Sequence, residues 1–540
     1  MSLLYFLLHG SLAPDLLGLG VRLLAILLVP VNRRPSSAMA WLLAIFLIPY
    51  VGVIVFLLIG NPKLPKRRRA QQREVNAMID EGTKALPAVV MSPGQTMRPE
   101  QAVSPGQVAP SGETASGQAV SGDAVSGDAG SLSRTASPGQ TVPPELEWME
   151  AVATLNRNLG SLPMVPGNAV TLLEDYGDSI AQMAAAVDAA QRHVLCQFYI
   201  MSVDATTEPF FAALERAVRR GVTVHVLLDH IGSRPYPGYR RTLARLDAIG
   251  AEWRLMLPVL PLRGQYQRPD LRNHRKLLIV DGEVGFIGSL NMIDRSYQKP
   301  RNVKRGLQWQ ELVARVEGPT VRSMSVVFLT DWYSETGDIL TDQTPPRPRG
   351  TARSGDSGLH CQIVPSGPGF DNDNNLKLFN SLIYHARRRV SLASPYFVPD
   401  ESLMMAITTA AQRGVEVELF VNEVGDQPMV HHAQRSYYEV LLRAGVRIHL
   451  YPAPYILHAK HFTIDDEVAV IGSSNMDMRS FGLNLEVTMM TFGESHATAM
   501  RAVEDHYRQV SRELTLDEHL SHNVVTRLFD NLARLTSALQ

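Results

Sequence analysis

One segment of this chain occurs twice. His274 to Asn291 reads HRKLLIVDGEVGFIGSLN, and 184 residues on (458 minus 274) His458 to Asn475 reads HAKHFTIDDEVAVIGSSN. Both copies give His-x-Lys, four residues, Asp, six residues, then Gly-Ser-x-Asn. A single copy would read as a surface strand ending in a polar turn. Two copies at identical internal spacing require two similar folding units that present the same side chains.

The spacing predicts a hairpin. His274 and Lys276 are two apart and share one face of a strand, and Leu277 to Val280 is an apolar run suited to a buried strand. Asp281-Gly282 is a hairpin turn signal. Val284 to Ile287 returns, which carries Gly288, Ser289, Leu290 and Asn291 back beside the His and Lys. The second copy repeats this with Lys460 to Ile464, a turn at Asp465-Asp466, and Val468 to Ile471. Each hairpin therefore offers an imidazole, an ammonium and a carboxamide, a set suited to a phosphodiester: a nucleophile, a proton carrier, and donors for the non-bridging oxygens. Asp281 and Asp465, at the hairpin tips, are expected to support the motif through turn and packing hydrogen bonds rather than chemistry.

These motifs resemble those of the phospholipase D superfamily. The strings around them, RNHRK at 272–276, SGPG at 366–369, SPYFVPD at 394–400 and NMDMRSFGLNLE at 475–486, are most similar to bacterial cardiolipin synthases. The resemblance implies a fold of two pseudo-symmetric α/β lobes sharing one active site, preceded by an N-terminal transmembrane helical hairpin. It implies catalysis by His274, Lys276, His458 and Lys460, with Asn291, Asn475, Ser289 and Ser473 holding phosphate. Glu311 and Glu486 match the family's histidine-orienting carboxylates, each expected to serve the histidine of the motif it follows. No cofactor and no metal are expected. Cys196 and Cys361 stand in no metal-like spacing, and His431-His432 lacks a carboxylate cluster. The implied reaction moves a phosphatidyl group from one phosphatidylglycerol to another through a phosphohistidine, with release of glycerol. Hydrolytic phospholipase D, or another transphosphatidylase, is the alternative, and a membrane-tethered nucleic-acid phosphodiesterase a more distant one.

Outside the motifs, helix and strand alternate in both halves. RRGVTVHVLLD and QRGVEVELFVN are related strings, each a helix closed by Gly and followed by a strand, so the layering is α/β. The formal net charge of -1 does not suggest nucleic acid as a partner. The apolar start suggests a phospholipid membrane. Ala38 to Gly60 is an uncharged run long enough, at 1.5 Å per residue, to cross a core of about 30 Å, and Leu12 to Val31 is a second, weaker candidate span. Lys63 and Lys66 to Arg69 follow, placing the downstream chain on the cytoplasmic face of a multi-pass cell-membrane protein. From Pro87 to Pro144 the composition turns to Ser, Gly, Pro, Ala and Gln, the signature of a flexible tether. The expected domains are a membrane anchor at 1–62, a basic segment and linker at 63–144, and lobes at 145–345 and 346–540; no obligate protein partner is inferred. Near the end, Val524, Val525, Leu528, Phe529, Leu532, Leu535 and Leu539 fall on one helical face, expected to pack on the lobes.

Overall fold

The structure is a computed structural model that describes residues 12–31, 35–60, 64–83, 144–263, 265–340, 358–370 and 373–535. The tether read at Pro87–Pro144 lies outside the described residues except for Pro144. The chain divides into two units, Met1–Val89 with Glu150–Gln540, and Val90–Met149. Of the second unit only the opening turns of a helix, Pro144–Gly160, are described; the sheet and both hairpins belong to the first.

The N-terminal helices are α1 (Leu12–Leu28), α2 (Pro35–Leu47), α3 (Pro49–Ile59) and α4 (Lys66–Thr83). The single helix expected over Ala38–Gly60 is thus two helices. Pro49 has no N–H and disfavours helical geometry in the residue before it; Ile48 sits at φ -135, ψ 77. The break folds the segment back on itself. The rings of Trp41 and Phe56 meet at 5.5 Å, and a Cβ on Gly52 would lie 2.8 Å from the Ile45 Cα, so only glycine permits the approach. Among the described residues no helix is long and apolar enough to cross a membrane.

The α/β body follows in two matching halves. The first contains β1 (Val165–Leu173), α5 (Tyr176–Ala189), β2 (His193–Phe198), α6 (Glu208–Arg219), β3 (Thr223–Asp229), α7 (Tyr239–Ile249), β4 (Glu252–Met256), β5 (Arg272–Asn273), β6 (Leu277–Val280), β7 (Val284–Gly288), β8 (Gln308–Gln310), β9 (Val313–Glu317) and α8 (Thr320–Thr336). The second contains β10 (Leu359–Ser366), α9 (Asn374–His385), β11 (Arg389–Ala393), α10 (Glu401–Gln412), β12 (Glu416–Asn422), α11 (Pro428–Arg435), β13 (Arg447–Tyr451), β14 (Tyr455–Leu457), β15 (His461–Ile464), β16 (Val468–Gly472), β17 (Asn484–Phe492), α12 (Glu494–Val510), β18 (Arg512–Leu514) and α13 (Val524–Arg534).

Most of their strands form one mixed sheet in the order β18-β13-β12-β11-β15-β16-β17-β10-β1-β9-β7-β6-β2-β3-β4, with β5 paired to β17 off this path and β8 paired to β14 as a separate ribbon. Reading outward from the β10–β1 junction, each half runs through β9 or β17, then its second hairpin strand, its first, and then three parallel strands. The halves are joined edge to edge, with Val165 opposite Cys361 and Asn168 opposite Leu359.

Local chemistry sets the elements. In α6, Phe210, Phe211, Ala213, Leu214 and Ala217 recur at helical spacing and are buried, where each Phe contributes about 2 to 3 kcal/mol of apolar burial. Gly221, at φ +87, ends the turn and starts β3. One face of the first half buries Val194, Cys196 and Phe198 under α5 and α6. The opposite face belongs to a core common to both halves, where Leu195, Leu227 and Ile279 share a cluster with Ile363, Phe420 and Met489, covered by Phe328 and Trp332 of α8 and Tyr507 of α12.

At the C-terminus the packing differs from the expectation. In α13 the apolar stripe faces out: Val524, Val525, Leu528, Phe529, Leu532 and Leu535 are exposed, while Asp530 and Ala533 are buried. The inner side is held by polarity, because Asp530 accepts from His432 at 2.7 Å and pairs with Arg435 at 3.4 Å on α11.

Candidate active site

The two hairpins fold as a pair of equivalent structures. Asp281 occupies φ +55 and Gly282 φ +69 at the first turn, and Asp465 φ +51 at the second. Their carboxylates leave the turns to accept three backbone N–H groups each. Asp281 takes those of Gln191, Arg192 and His193 at 2.8, 2.8 and 2.9 Å, and Asp465 takes those of Arg387, Arg388 and Arg389 at 3.0, 2.7 and 2.9 Å. Each aspartate thereby fixes its hairpin against the start of the neighbouring parallel strand.

At the other end of each hairpin the motif glycine admits a strand. A Cβ on Gly288 would lie 2.3 Å from the Leu312 carbonyl oxygen, and one on Gly472 2.4 Å from that of Val487. These close passages carry Glu311 and Glu486 into the site. The serines beside the glycines serve the same strands. The Ser289 hydroxyl accepts from Leu312 N at 2.9 Å, and that of Ser473 accepts from Val487 N at 3.0 Å and donates to Glu486 Oε2 at 2.5 Å. Both serine side chains are thus engaged by the strand and carboxylate rather than open to a ligand.

The carboxylates cross between the halves. Glu486 meets His274 Nδ1 at 2.9 and 3.1 Å. Glu311 meets His458 Nδ1 at 2.9 Å through each oxygen. Each histidine is held by the glutamate downstream of the other copy's motif, which corrects the same-motif pairing expected from sequence. The cause is the strand pairing: β5 joins β17 in parallel, β8 joins β14 in parallel, His274 N donates to Leu485 O at 2.8 Å, and His458 N donates to Gln310 O at 2.7 Å. The sequence spacing is equally compatible with either pairing, so only tertiary register decides.

The lysines sit under the histidines. Lys276 Nζ donates to its own His274 carbonyl at 2.6 Å, and Lys460 does the same to His458. All four side chains are buried, as are both glutamates. Burial pushes both imidazoles down to about 4, against the pull of the facing carboxylate. It also drives Lys276 down to about 7 and Lys460 to about 8. For Glu311 and Glu486 burial alone would raise the carboxyl, but the facing imidazole and a lysine overcome it and hold both below the ordinary range. The glutamates are therefore ionised acceptors, the imidazoles are neutral with the proton on Nδ1, and both Nε2 atoms are left for chemistry.

The two copies are not identical in their surroundings. Asn291 is committed at both ends: its Oδ1 accepts from Ile200 N at 3.1 Å and its Nδ2 donates to the Tyr297 hydroxyl at 2.8 Å. Asn475 retains a buried Oδ1 without a hydrogen-bond partner. Tyr297, stacked on Trp309 at 4.5 Å, donates to Glu311 Oε1 at 3.0 Å. Sequence reading passed over Tyr297, although a signal was present. NMIDRSY at 291–297 and NMDMRSF at 475–481 extend the duplication, and the phenol stands where the second copy has Phe481.

Further residues complete the frame. Arg275, beside His274 in the chain, donates through Nε to Glu486 O at 2.9 Å and pairs with Asp331. Arg479 Nη2 donates to Asp270 O at 2.7 Å, tying the second half to the first. His431 and His432 stand apart from both dyads in α11, with His432 paired to Asp530.

Two α/β halves, each giving a histidine and lysine to one side and a carboxylate to the other's histidine, define a phospholipase D-like protein. The sequence profile described as "Cardiolipin synthase, PLD-like domain" matches residues 183–332 and 379–510, and that described as "Phospholipase_D-nuclease N-terminal" matches residues 22–61. The chain belongs to the cardiolipin synthase family. It is 30% identical to cardiolipin synthase A of Yersinia pseudotuberculosis serotype O:1b (strain IP 31758) over 512 residues, covering 92% of each chain, and the same figures hold for cardiolipin synthase A of Yersinia pestis. Among solved structures, phosphatidylserine synthase of Haemophilus influenzae Rd KW20 shares the fold, with a TM-score of 0.54 and 14% identity over 72% of this chain and 100% of that one.

Proposed function

We propose that this protein is a phosphatidyltransferase that joins two phosphatidylglycerol molecules into cardiolipin and releases glycerol. The observation that carries the reading is the pair of crossed His–Glu dyads with a buried lysine under each, on a chain similar to cardiolipin synthases along most of its length. His274 Nε2 attacks phosphorus, the bond from phosphorus to the glycerol oxygen breaks, and His458, in the fraction of molecules in which it carries a second proton on Nε2, supplies the proton that glycerol carries away. The hydroxyl of the second lipid then gives its proton to His458 and attacks phosphorus, and the P–N bond breaks. The lysines stabilise the non-bridging oxygens. The apolar helices α1 to α3 and the basic start of α4 keep the enzyme at a membrane, with the body on the cytoplasmic face.

Mass spectrometry of the lipids formed when the purified full chain is incubated with phosphatidylglycerol tests the reading. Cardiolipin and free glycerol in equal amounts are the expected products. Phosphatidic acid alone would show that water resolves the intermediate.

The pH profile follows from the burial of the site. With an ester of phosphatidic acid and an activated phenol, departure needs no proton, so kcat/KM reports the nucleophile and the lysines. A neutral imidazole is required, and protonation removes it only as pH falls through about 4. Charged lysines are required, and they are lost as pH rises through about 7 to about 8. The profile should be flat between these limbs, with no step at the ordinary histidine value near 6.5. With phosphatidylglycerol the rate should fall relative to the phenyl ester as pH rises, because His458 must also carry a proton.

A further inference from the structure

We propose that the outward face of α13 is a second lipid-contacting surface, which lies in the interfacial layer of an anionic bilayer and holds the mouth of the site against it. The proposal rests on the assignment of the chain as a lipid transferase.

The helix is inverted relative to an ordinary surface helix. Its acid, Asp530, is inside and paired, while Val525, Leu528, Phe529 and Leu532 are between 49% and 62% exposed, Val524 is 80% exposed and Leu535 is 79% exposed. A contiguous apolar face of this kind on a described surface marks a binding surface. The exposed charges on the helix are cations, Arg527, which lies 3.8 Å from Glu439, and Arg534, which lies over the Tyr437 ring at 4.7 Å; their sign suits an interface with anionic headgroups.

Position in the fold selects the bilayer as occupant. Helix α11, on which α13 packs, follows the loop at the C-terminal end of β12. From that loop Asp426 accepts the Tyr396 hydroxyl at 3.0 Å, and the Tyr396 ring lies 6.2 Å from that of His458. Gln434 of α11 also accepts from Phe397 N at 2.9 Å. The other apolar element, the α2–α3 hairpin, leads into α4, which is fastened at the equivalent end of the first half. Arg68 donates to Glu335 Oε1 at 2.7 Å, and the same oxygen accepts from Leu257 N just beyond β4 at 2.9 Å. Each apolar element is thus attached near the ends of its own half's parallel strands, where that half's histidine sits, and the loops of the two ends meet where Arg305 of the first half donates to Gly425 O of the second at 3.0 Å. A membrane-bound lipid presented to the paired histidines would lie between the two elements.

The test uses the full chain in nanodiscs of phosphatidylglycerol and phosphatidylcholine. Leu528→Cys carries a bimane label, and native Cys196 and Cys361 are buried and escape labelling. Glu283→Cys, at an exposed turn on the opposite edge, is the control. Acyl-brominated lipids should quench the label at 528 and leave that at 283 bright. Equal brightness at both positions overturns the proposal. So does a label at 528 that is protected without lipid while light scattering shows the mass to double, which would assign the face to a second copy. In a second arm, the Leu528→Glu, Phe529→Glu double variant should lose about tenfold or more of its turnover on nanodisc phosphatidylglycerol and keep the parent rate on the same lipid in detergent micelles. Equal losses in both media also overturn the proposal. Failure of the unaltered chain to make cardiolipin in micelles would instead sink the transferase reading, and the quenching result would stand apart from it.

Discussion

His274→Ala is expected to abolish phosphohistidine formation with any leaving group, a loss of about four or more orders of magnitude, or at least about 5.5 kcal/mol of transition-state stabilisation. His458→Ala should behave differently. With phosphatidylglycerol it should lose about 10² to 10⁴ in rate, the usual worth of a positioned proton donor. With an activated phenyl ester of phosphatidic acid it should still form the covalent intermediate, because such a group leaves without a proton. Peptide mapping of the trapped intermediate reads the result: label on His274 in the His458→Ala protein fits the assignment, and label on His458 in the His274→Ala protein would reverse it. The two-step route would survive that reversal, since both imidazoles have a free Nε2 in one buried site.

The second large effect comes from the crossed carboxylates. Glu486→Gln should phenocopy loss of His274, and Glu311→Gln should phenocopy loss of His458, each costing about 10² to 10⁴. An amide in place of the carboxylate no longer fixes the proton on Nδ1 and leaves the ring free to turn. The diagnostic is the leaving group. Glu311→Gln should be rescued by the activated phenol and Glu486→Gln should not, although Glu311 follows the His274 motif in sequence. If Glu311→Gln were indifferent to the leaving group, the crossed pairing would have no catalytic meaning.

That pairing marks the limit of what the chain discloses as a string. The hairpins were legible because period-two patterning, a turn signal at Asp281-Gly282 and a second copy all agreed. The α/β halves were legible because helix-ending glycines at 221 and 414 precede apolar strands. Which glutamate meets which histidine was not, because it is decided by β5 on β17 and β8 on β14, contacts between residues about two hundred and about one hundred and fifty apart. Spacing within a motif carries no information about such register. The fold-back at Pro49 was missed because hydropathy counts apolar residues and ignores a backbone break. The outward stripe of α13 was misplaced because amphipathicity says that a face wants cover, not whose.

Crossed dyads also govern when the enzyme can become active. His274 is synthesised 212 residues before the carboxylate that holds it, and Glu486 lies on a strand whose partners come from both halves, β5 of the first and β10 and β16 of the second. A nascent or truncated chain therefore carries its first histidine unarmed, with a ring that no carboxylate orients and a lysine with no site to serve. The ability to cut a phosphodiester arrives only when nearly the whole chain has been made and closed, so an incomplete copy held at a lipid surface has no means of breaking the lipids around it.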